Sequence, residues 1–293
     1  MTEAFPLVSV IIPTIGRLRY LEEALNSVRG QTYGNYEAIV AADGPMRGAE
    51  RLVKRLLGGK SVFVRLPTRR GPAAARNAAI ARARGDIIAF LDEDDVWHPR
   101  KLERQLKFMA RTQTNFSYTD YEVVSESGKK ILASWIGRPS AFVRHWKYLD
   151  FMERSEIMFE KLGFRQPYPK SSTVVLNRDS LKALGGSPPF DEKFRSFHEE
   201  TDLWLRLCAV YGNGFLAFYD KEPLTRYRIH RKHLILKSSR GPVVLLDSAV
   251  FTMKQRMHFY CSPHSHLCLR DVWVKDEELS ARRGCADLKE PRK

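Results

Sequence analysis

Two kinds of apolar spacing alternate along the first 125 residues. Short continuous apolar runs, which are typical of buried strands, occupy residues 8–12, 36–41, 61–66 and 87–91. Apolar residues at helical spacing follow each run and predict helices near residues 20–28, 52–57, 72–84 and 99–111. Strands that alternate with helices predict an α/β fold with a mostly parallel sheet and helices on both faces. In such sheets, ligands bind at the carboxyl ends of the strands.

The second half of the chain is less regular. We predict strands at residues 115–124, 172–176 and 214–219, and helices at 178–184 and 199–211. Beyond residue 236 the sequence becomes basic and only weakly periodic, so we place a boundary near 240 and interpret residues 240–293 as an appendage or partly disordered arm. The arm contains Cys261, His264, His266 and Cys268, which are zinc-ligand types, but their spacing fits no standard zinc finger.

Composition narrows the class of partner. The 293 residues carry a formal net charge of +15, and such a positive field attracts phosphates or anionic lipid. A nucleic-acid partner is not favoured, because the basic residues are scattered and no zinc-finger spacing or RNP-type aromatic motif is present. The start has no signal-peptide pattern, no apolar stretch approaches the ~18 residues of a membrane span, and the four cysteines form no CxxC pair. We therefore expect a cytoplasmic protein with free thiols.

An acidic cluster follows the fourth predicted strand. Asp92, Glu93, Asp94 and Asp95 come directly after the apolar run that ends at Leu91. Adjacent negative charges repel one another unless a positive group lies among them, and hard oxygen ligands suit Mg²⁺ or Mn²⁺. The alternative is a solvated acidic turn with no ligand, because structural charge groups are common as well.

Five segments carry a family resemblance. They are VSVIIPT (8–14), Asp-Gly (43–44), GPAAARNAAI (71–80), DIIAFLDEDDVWHP (86–99) and EETDLWLRL (199–207). In this order they resemble the family 2 glycosyltransferases, over roughly residues 7–230. The resemblance implies the GT-A fold, in which a Rossmann-like half binds a nucleotide sugar and a second half binds the acceptor. We assign residues 1–125 to the first half and residues 126–239 to the second half of the same domain.

The resemblance identifies the acidic cluster with the DXD motif of this family, here Asp92-Glu93-Asp94. It implies that Asp94 binds Mn²⁺ or Mg²⁺ on the donor diphosphate and that Asp92 binds the metal or the ribose. His230, in a basic segment that resembles one closing over the diphosphate, is a candidate third metal ligand. A lone histidine is more often not a ligand, so both interpretations of His230 stay open.

The resemblance also implies a set of nucleotide contacts. Asp43 is expected to bind the base, with a turn aspartate that bonds its own backbone as the alternative. Arg76 is expected near the nucleotide, with a helix-surface cation as the alternative. Gly16 departs from the usual Pro-Thr-x-Asn-Arg pattern, in which asparagine stands at this position. The full set of predicted nucleotide-binding residues is Pro13, Thr14, Arg17, Asp43, Arg76, Asp92 and Arg228.

A catalytic base is implied by the segment that begins at residue 199. By the register of the resemblance the base is Glu200, a glutamate where aspartate is usual, and Glu199 is the near alternative. A carboxylate at a helix start, partly removed from water, suits proton abstraction from an acceptor hydroxyl. Asp202 has a structural explanation, because Arg206 follows four residues later and pairs with it on a helix.

Together these features predict a metal-dependent inverting glycosyltransferase. It would move a sugar from a nucleotide-diphosphate donor, with a UDP-sugar favoured, to a hydroxyl of a glycan or lipid-linked acceptor in surface polysaccharide or glycolipid synthesis. The basic surface and the aromatic residues of segment 130–170 predict peripheral contact with an anionic inner membrane face. Two alternatives remain, namely a sugar-nucleotidyltransferase and a non-enzymatic scaffold with a degenerate donor site.

Overall fold

The structure is a computed structural model of the chain. This structure describes residues 6–135, 169–185, 188–194, 199–211, 217–219 and 222–230. Most of the aromatic segment 130–170, the boundary near 240 and the arm with its two cysteines and two histidines of zinc-ligand type lie outside the described residues. Those predictions therefore stay predictions.

The first half contains the predicted alternation of strands and helices. Strands β1 to β4 are Val8–Thr14, Tyr36–Ala42, Ser61–Arg65 and Ile87–Phe90, and helices α1 to α4 are Leu18–Arg29, Ala49–Leu57, Pro72–Ile80 and Lys101–Thr112. A two-residue strand, β5 (Val96–Trp97), follows the acidic cluster. Helix α3 begins with Pro72 at its first turn, as expected, but it ends at Ile80 rather than near 84. The reason is tertiary, because the Arg84 N–H donates to the Glu37 carboxylate instead of to a helical carbonyl.

Six further strands and two helices are described after α4. Strands β6 to β11 are Phe116–Thr119, Tyr121–Val124, Lys130–Leu132, Val175–Asn177, Ala217–Tyr219 and Thr225–Arg228. Helices α5 and α6 are Asp179–Lys182 and Glu199–Tyr211, and a 3-10 turn spans Ser171–Thr173. The strand predicted at 115–124 is in fact two strands. They separate at Asp120, whose carboxylate accepts the N–H groups of Tyr121 and Trp135 and so turns the chain.

The central sheet has seven strands in the order β10-β6-β9-β4-β1-β2-β3. All neighbours are parallel except β9, which is antiparallel to both β4 and β6. Strands from both predicted halves lie in this one sheet. The predicted fold class, a mostly parallel sheet with helices, is therefore confirmed.

Apolar side chains are buried on both faces of the central sheet. On β1, Ile11 belongs to an apolar cluster that includes α3 and α6, whereas Val10 and Ile12 belong to a second cluster with α1, α2 and α4. This double burial explains why the central strands appear in the sequence as continuous apolar runs rather than as alternating ones. Within the described part of the chain, no helix combines the length and apolarity that a bilayer crossing requires.

A second sheet, of four strands in the order β5-β11-β7-β8, positions the site. Strand β11 is parallel to β7 and antiparallel to β5, with Thr225 opposite Trp97 and Arg226 opposite Val96. This register brings the residues that follow β11 beside the acidic cluster that precedes β5. His230 and Asp94, 136 positions apart in the sequence, become neighbours in this way.

Candidate functional site

The polar side chains gather at the carboxyl edge of the central sheet. Strand β1 lies between β4 and β2, so the chain order reverses between β1 and β4. Asp43 follows β2 and the cluster 92–95 follows β4. A reversal of strand order opens a crevice at this edge, and such crevices are where open α/β sheets bind ligands.

The four acidic side chains of the cluster have separate environments. Asp92 accepts from Arg76 Nη2 at 2.6 Å, and its backbone N–H donates to Ser172 Oγ at 3.0 Å. Asp95 is buried and accepts the Arg228 N–H at 3.0 Å. Burial, reinforced by the charges of Asp94 and Asp92, raises the pKa of Asp95 well above its usual range. The cluster is therefore a partly buried, partnered set of groups and not a solvated turn.

Glu93 secures the loop that follows β1. Its carboxylate accepts from the Thr14 hydroxyl and from the Arg17 N–H at 3.3 Å. Thr14 Oγ1 in turn accepts the Gly16 N–H at 3.0 Å. Gly16 has φ +89°, a left-handed conformation that glycine adopts freely and that asparagine tolerates better than most residues. Glycine in place of the usual asparagine is thus compatible with the backbone of this loop.

Arg17, Asp94 and His230 form a compact group. Arg17 Nη1 lies 2.7 Å from Asp94 Oδ2 and 3.2 Å from His230 Nε2. Asp94 Oδ2 and His230 Nε2 are themselves 3.0 Å apart. A cationic group of the chain therefore already contacts Asp94 and His230, two of the three predicted metal ligands.

The donor types in this group fit a divalent cation. Two ligands at adjacent corners of an octahedral Mg²⁺ site with bonds of about 2.1 Å are about 3 Å apart, close to the separation of Asp94 Oδ2 and His230 Nε2. No three His, Cys, Asp or Glu side chains among the described residues form a metal-holding cluster. An ion held by two protein groups takes its other ligands from phosphate and water, as Mg²⁺ commonly does. The Arg17 guanidinium would have to move aside for the ion to bind.

Arg76 joins the acidic cluster to the start of helix α6. Its Nη2 bonds Asp92, and its Nη1 lies 2.7 Å from Glu199 Oε1. Only 3% of Arg76 is exposed, and the guanidinium packs over the Phe190 ring. The alternative of a helix-surface cation is therefore wrong. Burial opposes the charge, but Asp92 and Glu199 outweigh it and raise the pKa of Arg76.

Glu199 and Glu200 are neighbours with different partners. Glu199 is buried against Arg76, and burial raises its pKa. Glu200 accepts from the Ser171 N–H at 2.9 Å and from Ser171 Oγ at 2.5 Å, and Lys170 Nζ lies 3.6 Å from its other oxygen. Burial opposes ionisation of Glu200, but Lys170, Arg76 and Ser171 together lower its pKa. The partners of the two glutamates thus shift their pKa values in opposite directions.

Asp43 binds a loop other than its own. Its carboxylate accepts the Arg70 N–H at 2.7 Å and the Gly71 N–H at 3.1 Å, immediately before helix α3. The alternative of a turn aspartate that bonds its own backbone does not describe these contacts. The position at the end of β2 agrees with the predicted crevice, and the contact with a nucleotide base stays a prediction.

The other predicted nucleotide-binding residues are less accessible. Pro13 and Thr14 are buried within β1. Arg228 is 2% exposed, and its guanidinium donates to the carbonyls of Asp94 and Glu126 and to the Glu23 carboxylate. These contacts make Arg228 a support for the acidic cluster. In the described structure, Arg17 is the guanidinium that contacts the side-chain oxygens of Asp94.

Lys170, Ser171 and Ser172 were not predicted from the sequence. They contact Glu200 and Asp92, from which they are separated by 29 or more positions. Serines and one lysine in an apolar context carry no motif by themselves. Their proximity to the acidic residues arises only from the antiparallel insertion of β9 between β4 and β6.

The known proteins to which this chain is similar match most of its length and are named as glycosyltransferases. A family model described as "Glycosyl transferase family 2" matches residues 9–175. The chain is 37% identical over 263 residues to TuaG of Bacillus subtilis (strain 168), which is named as a teichuronic acid biosynthesis glycosyltransferase, and the match covers 88% of this chain and 92% of TuaG. Three longer Rickettsia relatives are matched over only 18–33% of their lengths.

Two further similarities concern a curated relative and a solved structure. The chain is 33% identical over 228 residues to the Escherichia coli protein WfgD, named as a UDP-Glc:alpha-D-GlcNAc-diphosphoundecaprenol beta-1,3-glucosyltransferase, with 78% of this chain and 79% of WfgD covered. The mannosyltransferase PcManGT of Pyrobaculum calidifontis, solved with GDP-Man and Mn²⁺, superposes with a TM-score of 0.57 at 19% identity. That match covers 78% of this chain and 59% of PcManGT, and it supports the fold.

Proposed function

The chain belongs to glycosyl transferase family 2, and from that premise we propose that it is a metal-dependent, inverting enzyme that transfers a sugar from a UDP-sugar to an acceptor hydroxyl. The carrying observation is the Arg76 bridge, which ties Asp92 of the acidic cluster to Glu199 at the start of α6. This bridge holds the metal-binding and base-bearing segments of one site together.

The donor diphosphate would lie against the group formed by Arg17, Asp94 and His230. Cleavage of the sugar–phosphate bond leaves negative charge on the departing nucleoside diphosphate. Asp94 and His230 would hold Mn²⁺ or Mg²⁺, which would neutralise charge on the leaving group, and Asp92 would bind the metal or the ribose. Once displaced from Asp94, the Arg17 guanidinium is a second positive group within reach of the phosphates.

Glu200 would act as the general base. As the acceptor oxygen attacks the anomeric carbon, its proton passes to the Glu200 carboxylate while the bond from the anomeric carbon to the phosphate oxygen breaks. Attack from the face opposite the leaving group inverts the anomeric centre. A base must reach the acceptor, and of the two adjacent glutamates Glu200 is the more exposed, whereas Glu199 is buried against Arg76.

The acceptor class is proposed from the relatives. WfgD is named for a lipid-linked diphosphoundecaprenol acceptor, and TuaG is named for teichuronic acid biosynthesis. We therefore favour a glycan or lipid-linked acceptor in surface polysaccharide or glycolipid synthesis. Family membership favours sugar transfer over the nucleotidyltransferase alternative, whose products would be a nucleotide sugar and pyrophosphate.

Calorimetric binding of UDP with and without Mn²⁺ tests the donor site. We expect UDP to bind more tightly with Mn²⁺ than without it, and more tightly than GDP or dTDP. Asp94→Ala should remove the gain from Mn²⁺, because it deletes the oxygen that lies beside His230 Nε2. Absence of metal-dependent binding to any of the three nucleotides in the wild type would instead favour a scaffold with a degenerate donor site.

Peripheral contact with the membrane is the proposal that follows from charge. A net charge of +15 should draw the chain to anionic lipid, where each basic residue near the surface adds about 1 kcal/mol. We expect the full chain to sediment with vesicles of phosphatidylglycerol at low salt and to be released at high salt, because added ions screen the attraction. Vesicles of phosphatidylcholine alone are the control. If the chain does not sediment with phosphatidylglycerol at low salt, this proposal is wrong.

A further inference from the structure

We propose that Lys170 and Ser171 are positioning residues for the transfer reaction, which hold the Glu200 carboxylate in one orientation. The inference rests on the proposed role of Glu200 as the base. It assigns a function to a turn that belongs to none of the five segments of the family resemblance. Its basis is a set of contacts made before any substrate is bound.

The contacts fix the carboxylate from two sides. Ser171 uses both of its donors, the backbone N–H at 2.9 Å and Oγ at 2.5 Å, on the same oxygen of Glu200. Lys170 Nζ lies 3.6 Å from the second oxygen, close enough for strong attraction but beyond ordinary hydrogen-bond length. Both residues are buried, with Ser171 1% exposed and Lys170 8% exposed. Burial removes competing water, so these contacts restrict the direction of the carboxylate.

The turn that carries Ser171 is itself held by two side chains of helix α4. The Thr173 carbonyl at its end accepts from Lys101 Nζ and from Gln105 Nε2, each at 3.1 Å. Lys101 and Gln105 are fully buried on helix α4. Helix α4 thus holds the end of the turn in place, and a turn held in this way can impose a fixed orientation on Glu200.

The same turn contacts the acidic cluster. The Ser172 carbonyl accepts from Trp97 Nε1 at 2.8 Å and from Thr225 Oγ1 at 3.1 Å, which ties the turn to β5 and β11. Ser172 Oγ accepts the Asp92 N–H at 3.0 Å. One rigid turn therefore sets the position of the proposed base relative to the residues proposed to bind the diphosphate. Such positioning matters because misplacement of a catalytic group by about 1 Å lowers a rate on the order of 100-fold.

The positive charge of Lys170 also acts on the pKa of Glu200. Burial disfavours the ionised carboxylate, and Lys170 is the largest of the groups that reverse this effect and lower the pKa of Glu200. Without Lys170, the pKa of Glu200 should rise, so the base should lose its activity at a higher pH as the solution is made acidic. Among the described residues, the charged or titratable groups that act on Glu200 include Lys170, Arg76, Asp92, Glu199 and Tyr227.

The experiment measures UDP release from UDP-glucose with Mn²⁺, with water as the acceptor, across a pH series. Ser171→Ala is expected to lower kcat about 10- to 100-fold with UDP affinity unchanged, and Ser171→Thr, which keeps a hydroxyl, should restore most of the rate. Lys170→Met should move the acid limb of the kcat profile to higher pH, whereas Lys170→Arg should leave it near the wild-type position.

Matched controls come from helix α5. Ser180 is buried like Ser171 and Lys182 pairs with Asp179 on the surface, so Ser180→Ala and Lys182→Met should retain wild-type kcat and an unshifted profile. Wild-type kcat and profile in Ser171→Ala and Lys170→Met would overturn the inference. So would an equal loss in kcat and UDP affinity, which would indicate a merely structural role. Failure of the proposed function would look different, because the wild type itself would then show neither UDP release nor Mn²⁺-dependent UDP binding.

Discussion

Replacement of Glu200 by glutamine is expected to lower kcat for UDP release from UDP-glucose by about 100- to 10,000-fold, the range that general-base catalysis contributes. Glutamine keeps the shape of the side chain and an oxygen that can accept from the Ser171 N–H and hydroxyl. It cannot accept the proton of the attacking hydroxyl at neutral pH. Calorimetric UDP affinity should therefore stay at the wild-type value, and only turnover should be lost.

The matched control for this result is Glu199→Gln. Glu199 faces Arg76 rather than the turn at 170–171, so its loss of charge should act on the stability of the Arg76 bridge. We expect Glu199→Gln to lower the free energy of unfolding and to retain more turnover than Glu200→Gln. The opposite pattern, with Glu199→Gln stable and inactive and Glu200→Gln active, would assign the base to Glu199.

The first half of the fold was predictable because its signals are local. Each parallel strand is covered on both faces, so each appears as a continuous apolar run, and each helix follows at once with its own spacing. The acidic cluster was predictable for the same reason, since a carboxyl end of a buried strand is marked by the change from Leu91 to Asp92. The resemblance to family 2 glycosyltransferases implied what these residues do. The pattern of apolar and polar residues predicted only that they lie at the edge of the sheet.

The rest depends on contacts between distant parts of the chain. The strand predicted at 115–124 contains no glycine or proline to mark its break, which comes from the Asp120 carboxylate and its two backbone partners. The antiparallel entry of β9 also has no local signal, although it delivers the 170–173 turn to the site. The sequence likewise left Arg76 open between two roles. Only the meeting of α3 with α6 and the acidic cluster shows that it is a buried bridge.

Replacement of Arg76 by methionine is the second change with a large expected effect. Methionine fills much of the same volume but removes the charge shared by Asp92 and Glu199. It leaves the buried Glu199 and the partly exposed Asp92 without their partner. Breaking a buried ion pair in this way costs about 3–5 kcal/mol. We expect a loss of that size in the free energy of unfolding, measured by urea titration at pH 7, together with loss of UDP release from UDP-glucose.

The loss of stability in Arg76→Met should also depend on pH. In Arg76→Met, the pKa values of Asp92 and Glu199 should rise, because the positive charge that favoured their ionised forms is gone. The variant should then bind more protons than the wild type as the pH falls, so the difference in stability between the two should be largest near neutral pH and should shrink in acid. Arg19→Met, which removes an exposed pair with Glu23, is the control and should stay within the error of the measurement at every pH. An Arg76→Met variant as stable as wild type at pH 7 would contradict this prediction. It would show that the bridge does not hold the acidic cluster and helix α6 together and that water can solvate the two carboxylates in its absence.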